Sequence, residues 1–442
     1  MQIKVQPGDI STVQADAIIV NLFEGVTSPG GGTGAVDQAM GGAISQLIAA
    51  GDIRGKAGEV TLVHTLGKLP SPRVIVAGLG KQADFSVDKV RSMSGELARF
   101  LRRNRLKTAA TIAHGAGIAG LPAEECGAAI AEGTLLGLYR FLRHKKADDE
   151  SEVESLTIVE HDNANLTAIQ RGVDRGVILA EATNFCRDLA NEPSNYLTPT
   201  EMADRAQAMA DKTGLECEIH GPDWLREKGM GGVLGVAKGS EEEPRFIVLR
   251  YRGGGDSSPI GLVGKGITFD TGGISIKPAA GMEEMKGDMS GGASVIAAMG
   301  AIARLHPPIN VIGVVPATEN MPGGSAIKPG DVLRTMLGKT IEVINTDAEG
   351  RLILSDGLAY AREQGATAIV DVATLTGAIS IALGNVAMGA MTNDASLYGR
   401  VKKAADAAGE KIWELPMWDE YKDQIKSEVA DMKNTGGRGA GS

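Results

Sequence analysis

Residues 340–360 read TIEVINTDAEGRLILSDGLAY, and this stretch decides the fold. Thr340-Ile341-Glu342-Val343-Ile344 alternates and is β-branched, which predicts a strand. Leu352 to Tyr360 carries apolar residues at helical spacing. Between them, Asn345-Thr346-Asp347-Ala348-Glu349-Gly350-Arg351 forms a strand-to-helix turn holding two carboxylates and a guanidinium. Open α/β sheets place ligands at the carboxyl ends of strands. A plainer reading has Asp347 capping the helix and Glu349 favouring its first turn. The turn alone leaves both readings open.

Residues 260–292, IGLVGKGITFDTGGISIKPAAGMEEMKGDMSGG, break that tie. An apolar strand, Ile260 to Val263, runs into Lys265, Asp270, Lys277 and Asp288. A solvated loop would be polar throughout. Here the charges alternate with Ile267, Phe269, Ile274, Ile276 and Met285. A charge between large apolar residues tends to be buried, and must then be paired or bound to a metal.

The 442 residues exceed one typical core, so two domains are expected. Aromatics at 4% and 60 glycines suit close-packed α/β layers rather than an aromatic binding platform. A net charge of −10 argues against nucleic acid, because a phosphate backbone needs a basic surface. The basic run Arg102 to Lys107 reads as the solvated end of a helix. Cys126, Cys186 and Cys217 are few, odd in number and far apart, which is a reduced, cytoplasmic pattern. No signal segment and no membrane span are expected.

Residues 1–165 alternate strand and helix. Strands are predicted at Ala17–Leu22, Val60–Val63, Arg73–Gly78 and Leu156–Val159, with helices at Val87–Leu101 and Ala123–Leu142. The charged stretch His144 to Glu154 and a long helix near 172–190 bracket the expected boundary, so the second domain is drawn as 166–442. In it, strands are predicted at Phe246–Tyr251, Ile260–Gly264, Asn310–Val315, Ile341–Asn345 and Ala368–Val372. Helices are predicted at Ala293–Leu305 and Leu397–Ala408. The expected fold class is α/β in two domains. The larger has a central mixed, largely parallel sheet flanked by helices.

Asp270, Asp288, Asp347 and Glu349 converging without compensation would repel one another and take up protons. Metal ions are the natural counter-charge. None of the six histidines falls in these motifs, so the site is oxygen-rich and suits two divalent ions. From this chemistry alone, metal-assisted hydrolysis of an amide and of a phosphate ester both stay open.

Two resemblances enter here. Gly8-Asp9-Ile10, Ala15 to Asn21 and Gly30-Gly31-Gly32-Thr33-Gly34-Ala35-Val36-Asp37 resemble the macrodomain, a module that elsewhere binds ADP-ribose. A glycine run alone is a weak motif, so a structural relic of that fold is the preferred reading. In the second domain, Val263 to Gly273, Lys277-Pro278, Lys286-Gly287-Asp288-Met289, Asn345 to Leu352 and Asp371 to Ala378 resemble the leucine (cytosolic) aminopeptidase family.

That resemblance implies a dimetal exopeptidase acting on the amino-terminal residue of peptides, leucine and other mainly apolar residues. It implies one ion held by Lys265, Asp270, Asp288 and Glu349, and a more exchangeable ion held by Asp270, Asp347 and Glu349. Zn or Mn would serve, with Co or Mg open. Lys277 would stabilise the gem-diolate, and Arg351 would hold bicarbonate as general base. Thr374, Leu375 and Gly377 would line the peptide cleft, and Met285 the first side-chain pocket. Lys265 would ligate as a neutral amine, its reference pKa of ~10.4 pushed down by neighbouring dications. A homohexamer, a dimer of trimers, is also implied. Family members continue for several dozen residues beyond the glycine-rich motif that ends this chain. Truncation there, with an apolar surface left exposed, is therefore expected. Other readings are a dipeptidase or another dimetal amide or ester hydrolase, and a regulatory protein binding ADP-ribose or nucleic acid through the first domain.

Overall fold

The computed structural model describes residues 1–117, 120–146 and 152–437. Part of the charged stretch 144–154 and the last five residues of the glycine-rich end lie outside them. Contacts divide the chain into two compact units, Met1–Asn184 and Phe185–Ser442. The division falls inside a long helix, whereas the sequence reading draws it near that helix's start.

In the first unit the strands are β1 (Gln2–Pro7), β2 (Ala17–Leu22), β3 (Val60–His64), β4 (Arg73–Gly78), β5 (Thr108–Ile112) and β6 (Ser155–Glu160). They form one sheet in the order β1-β6-β5-β2-β4-β3. Only β3 runs antiparallel to its neighbour. The helices are α1 (Gly31–Ala39), α2 (Ala43–Ala50), α3 (Val87–Arg103), α4 (Ala123–Leu138) and α5 (Asn163–Asn191). Successive strand residues point to opposite faces. Ala17 and Ile19 therefore join one core with Val90 and Leu97 of α3 and Ile130 of α4. Ile18, Val20 and Leu22 join the other with Val36 of α1 and Ile44 of α2.

The second unit holds α6 (Pro199–Thr213), β7 (Glu216–His220), α7 (Pro222–Glu227), α8 (Gly231–Ala237), β8 (Arg245–Arg252), β9 (Ile260–Gly264), β10 (Gly266–Asp270), α9 (Ser290–Leu305), β11 (Asn310–Asn320), β12 (Val332–Arg334), β13 (Thr340–Glu342), α10 (Gly350–Glu363), β14 (Ala368–Val372), α11 (Gly377–Leu383), β15 (Met388–Ala390), α12 (Ala395–Ala408), β16 (Ile412–Glu414), α13 (Tyr421–Gln424) and β17 (Met432–Lys433). Its central sheet runs β14-β9-β11-β8-β7, with β10 also on β11. The β14, β9, β10 and β11 pairings are parallel, and β8 and β7 are antiparallel. The same alternation places Phe246 and Val248 with α8 and α10 on one face. It places Ile247 and Leu249 with α6 and α9 on the other.

Two predicted strands differ from the observed ones. β11 runs past Val315 to Asn320. Pro316, which has no N–H to give, falls between the stretch paired to β9, ending at Val314, and the stretch paired to β10, starting at Ala317. β13 is only three residues long and lies in a small sheet, β12-β13-β17, with β17 at Met432–Lys433. Its continuation is committed elsewhere: Val343 N–H donates to Asp331 O, and Ile344 N–H to Asn434 Oδ1. The acidic turn therefore follows a satellite strand rather than a central one. Towards the carboxyl end, Ile381, Val386, Trp413, Trp418 and Val429 are exposed.

Candidate metal centre

β9 and β10 lie end to end along β11, and the break between them is Lys265. Its backbone turns aside there, with N–H donating to Val372 O and C=O accepting from Gly292 N–H. The side chain is 2% exposed and meets acids from two other elements. Its Nζ lies 2.8 Å from Asp288 Oδ2 and 2.8 Å from Glu349 Oε1. It also donates to Asp288 Oδ1 at 2.9 Å and to Thr374 O at 3.0 Å. Gly350 makes this approach possible, since a Cβ there would stand 2.9 Å from Lys265 Nζ.

A second lysine sits among the remaining acids. Lys277 Nζ lies 2.8 Å from Asp270 Oδ2 and pairs with Asp347 Oδ1. Asp270 ends β10. Its Oδ1 accepts from Gly272 N–H at 2.9 Å and from Asn320 Nδ2 at 2.7 Å. Asp288 follows a 3₁₀ turn, Met282–Gly287, and accepts from Thr374 Oγ1 at 2.8 Å. Glu349 is the N-cap residue of α10, and Arg351 lies in its first turn.

Charge is concentrated here beyond what the lysines answer. Four carboxylates face Lys265, Lys277 and Arg351. Burial raises the Asp288 carboxyl to about 6, against the pull of Lys265. Burial raises Glu349 too; Lys265 opposes this, and the Asp270 and Asp288 charges add to it. Asp347 is raised by burial against the pull of Lys277. Burial works against both ammonium groups. For Lys265, Glu349 and Asp288 outweigh it, and for Lys277, Asp270 and Asp347 do. Burial lowers Arg351, with the Glu349 charge opposing.

The residues fit a metal. Asp270, Asp347 and Glu349 each offer an oxygen, and these lie within 4.8 Å of one another. Asp288 Oδ2, Asp347 Oδ1 and both Glu349 oxygens are buried without a hydrogen bond. Three of the four lie at ion-pair distance from a lysine. Those three share lysine protons with other acceptors, and Glu349 Oε2 alone of the four has no cation beside it. Buried polar atoms are ordinarily paired, so four clustered acids sharing two lysines, with Glu349 Oε2 left unpartnered, have lone pairs to give a ligand.

The structure thus brings Lys265, Asp270, Lys277, Asp288, Asp347, Glu349 and Thr374 together. Arg351, Met285, Leu375 and Gly377 adjoin them along the chain. Arg351 Nε is buried and has no hydrogen bond.

Comparison with known proteins gives the family. Residues 184–442 match the catalytic domain of the cytosol aminopeptidase family, and residues 19–148 match that family's N-terminal domain. The chain belongs to the cytosol aminopeptidase family. It is 47% identical over 445 residues to a probable cytosol aminopeptidase of Alkaliphilus metalliredigens, covering 100% of this chain and 89% of that one. A probable cytosol aminopeptidase of Geobacter sulfurreducens is 44% identical over 443 residues, with the same coverage. Among solved structures, a tomato leucine aminopeptidase mutant superposes with TM-score 0.87 at 32% identity, covering 99% of this chain and 86% of that one. The bottromycin maturation enzyme BotP in complex with Mn superposes with TM-score 0.84 at 34% identity, covering 96% and 87%.

Sequence reasoning missed three residues that hold these acids. Asn320 donates to Asp270 and to Thr346 O. Thr346 Oγ1 donates to Gly272 O and accepts from Ser275 N–H. Asn434 accepts from Ile344 N–H and donates to Asn345 O and Ala348 O. Asn320 carried one available signal, a polar residue ending a buried central strand.

Proposed function

We propose that this aminopeptidase removes leucine and other mainly apolar residues from the amino termini of peptides, using two divalent ions, Zn or Mn with Co or Mg as substitutes. Lys265, Asp288, Asp270 and Glu349 would hold one ion, and Asp270, Asp347 and Glu349 the other. Bound there, the ions supply Lewis-acid activation of water and of the scissile carbonyl. The single observation that carries this reading is the set of four buried carboxylate oxygens without hydrogen bonds.

The chain's own groups complete the chemistry. Lys277, held charged by Asp270 and Asp347, donates to the oxygen that becomes negative as the carbonyl is attacked. Arg351, buried with its Nε free of hydrogen bonds, holds bicarbonate, which supplies a general base. Thr374, Leu375 and Gly377 line the peptide cleft, and Met285 the side-chain pocket. A free α-amine is a donor to cations and an acetylated one is not, so the enzyme reads peptides from their amino end. We place the enzyme in the cytoplasm as a homohexamer. No helix among the described residues is long and apolar enough to cross a membrane.

The test is release of leucine from leucyl amide by metal-stripped protein, with Mn²⁺ or Zn²⁺ added back and the amino-acetylated substrate alongside. Cleavage of the free-amine substrate that returns only with metal is expected. Equal cleavage of the acetylated substrate, or cleavage indifferent to metal, removes the reading.

A further inference from the structure

Asn320 ends β11 beside the last residue of β10, and the two are register partners, Asp270 with Asn320. It is 2% exposed. Its Nδ2 has two hydrogens, and both are used. One goes to Asp270 Oδ1 at 2.7 Å, the other to Thr346 O at 3.0 Å. Both partners are acceptors, so the amide nitrogen must face them. Its backbone C=O takes the Thr271 N–H at 3.0 Å and the Thr271 hydroxyl at 2.8 Å. Gly273, at φ +64°, passes so close that a Cβ there would stand 2.8 Å from Asn320 Oδ1. The amide is locked from every side.

The lock has a consequence for Asp270. With Gly272 N–H and Asn320 Nδ2 both on Oδ1, the carboxylate is pinned at that oxygen, and Oδ2 is the one that meets Lys277, at 2.8 Å. The second amide hydrogen ties the loop of Asp347 and Glu349 to the same point. One neutral side chain therefore sets the mutual placement of acids that lie 77 and 79 residues apart in sequence, as the numbering of Asp270, Asp347 and Glu349 gives.

We propose that Asn320 is a positioning residue for the metal centre, acting through the Asp270 carboxylate and the Thr346 carbonyl. The proposal rests on the metal reading above. Groups that orient metal ligands typically change affinity or activity by about 10–100-fold when removed. A neutral amide also suits the place better than a charge. It fixes a carboxylate without adding to the negative field or competing with the cations.

The experiment compares metal-stripped wild type, Asn320→Ala and Asn320→Asp. Asn320→Asp keeps the size and turns the donor into an acceptor facing Asp270. Each is titrated with Mn²⁺ alone, with the free ion followed by its EPR signal. The melting temperature of each metal-free protein is measured, and kcat and KM are taken on leucyl amide at saturating Mn²⁺. Both variants should bind Mn²⁺ about tenfold or more weakly. At saturation kcat should fall more than KM rises, and Mn²⁺ affinity should be lost at temperatures where each metal-free variant is still folded, although both melt below wild type and Asn320→Asp lowest, because it buries a second carboxylate against Asp270. Wild-type affinity in both variants overturns the proposal. So does a loss of affinity that only follows a fall in metal-free stability, which would make Asn320 an ordinary structural tie. A wild type that binds no Mn²⁺ overturns the metal reading and this proposal with it.

Discussion

Both units bury polar groups between sheet and helix, and they finish the job differently. In the amino-terminal unit the buried Asp37 carboxylate and His114 ring have their bonds made. Asp37 accepts from Ile44 N–H, Ser45 N–H and Ser45 Oγ. His114 is ringed by Asn21 Nδ2 at 2.8 Å and Thr111 Oγ1 at 2.7 Å. In the catalytic unit, four carboxylate oxygens at one point lack a hydrogen bond, three of them facing a shared lysine and Glu349 Oε2 facing none. Burial is common to both places, so burial alone does not identify a site. What separates them is satisfaction: a buried acid with all its bonds made is explained by the fold, and one with bonds to spare needs another explanation, which the proposed ions supply.

The largest test of that contrast is on the catalytic side. Lys277→Met removes the charge aimed at the developing oxyanion while leaving the acids in place. We expect kcat to fall about 10²–10³-fold with Mn²⁺ binding retained. A fall below tenfold would strip Lys277 of that role. The matching change on the structural side is Asp37→Ala, which orphans the buried Ile44 N–H, the half-buried Ser45 N–H and the Ser45 hydroxyl. It should destabilise the amino-terminal unit by about 3 kcal/mol, seen as a lower denaturation midpoint, and leave kcat unchanged once folded. Lost activity in folded Asp37→Ala would break the contrast.

His114 supplies a test by pH. Burial lowers it from 6.5 to about 4. A histidine whose folded value is depressed adds stability that is whole above the unfolded value and is lost as pH falls towards the folded one. Between pH 6.5 and 4 the amino-terminal unit should therefore lose about 3 kcal/mol from this residue. Unfolding of wild type and His114→Gln across that range isolates it, because the acids elsewhere titrate in both. Parallel curves would mean that the ring is charged or exposed.

These particulars show how much was legible in the sequence. Most strands of the two large sheets were, because an apolar run such as Phe246–Leu249, buried on both faces, is a local pattern with one physical cause, while β1, β5, β7 and β10 were not. So was the clustering of the acids of the candidate metal centre, which sit in two short motifs beside glycines. The truncated reach of β13 and the passage of β11 beyond Pro316 were not, because pairing partners decide them. Asn320 and Asn434 were invisible for the same reason. Their bonds run to residues 50 and 26 positions away in one case and 86 to 90 in the other, and a side-chain amide reaching a distant backbone leaves no periodicity behind.

The smallest expected effect is the most pointed. If the open oxygens are kept for a ligand rather than for the fold, removing one should help the metal-free protein. Glu349 is the sharpest choice, since neither of its oxygens has a hydrogen bond and it is 1% exposed. Glu349→Gln takes away a charge that repels Asp270 and Asp288 at nearly constant volume. Lys265 loses one partner but keeps both Asp288 oxygens, at 2.8 and 2.9 Å, so no cation is stranded. The four acids become three, equal in number to Lys265, Lys277 and Arg351. We expect the metal-stripped variant to be about 1–2 kcal/mol more stable than metal-stripped wild type, the usual size of gain when a functional group under strain is relieved. With Mn²⁺ added the order should reverse, because only the wild type gains from binding. A metal-free variant less stable than wild type would mean that Glu349 is part of the fold's own charge balance, and the distinction between the two halves would fail at the residue where it is drawn most clearly.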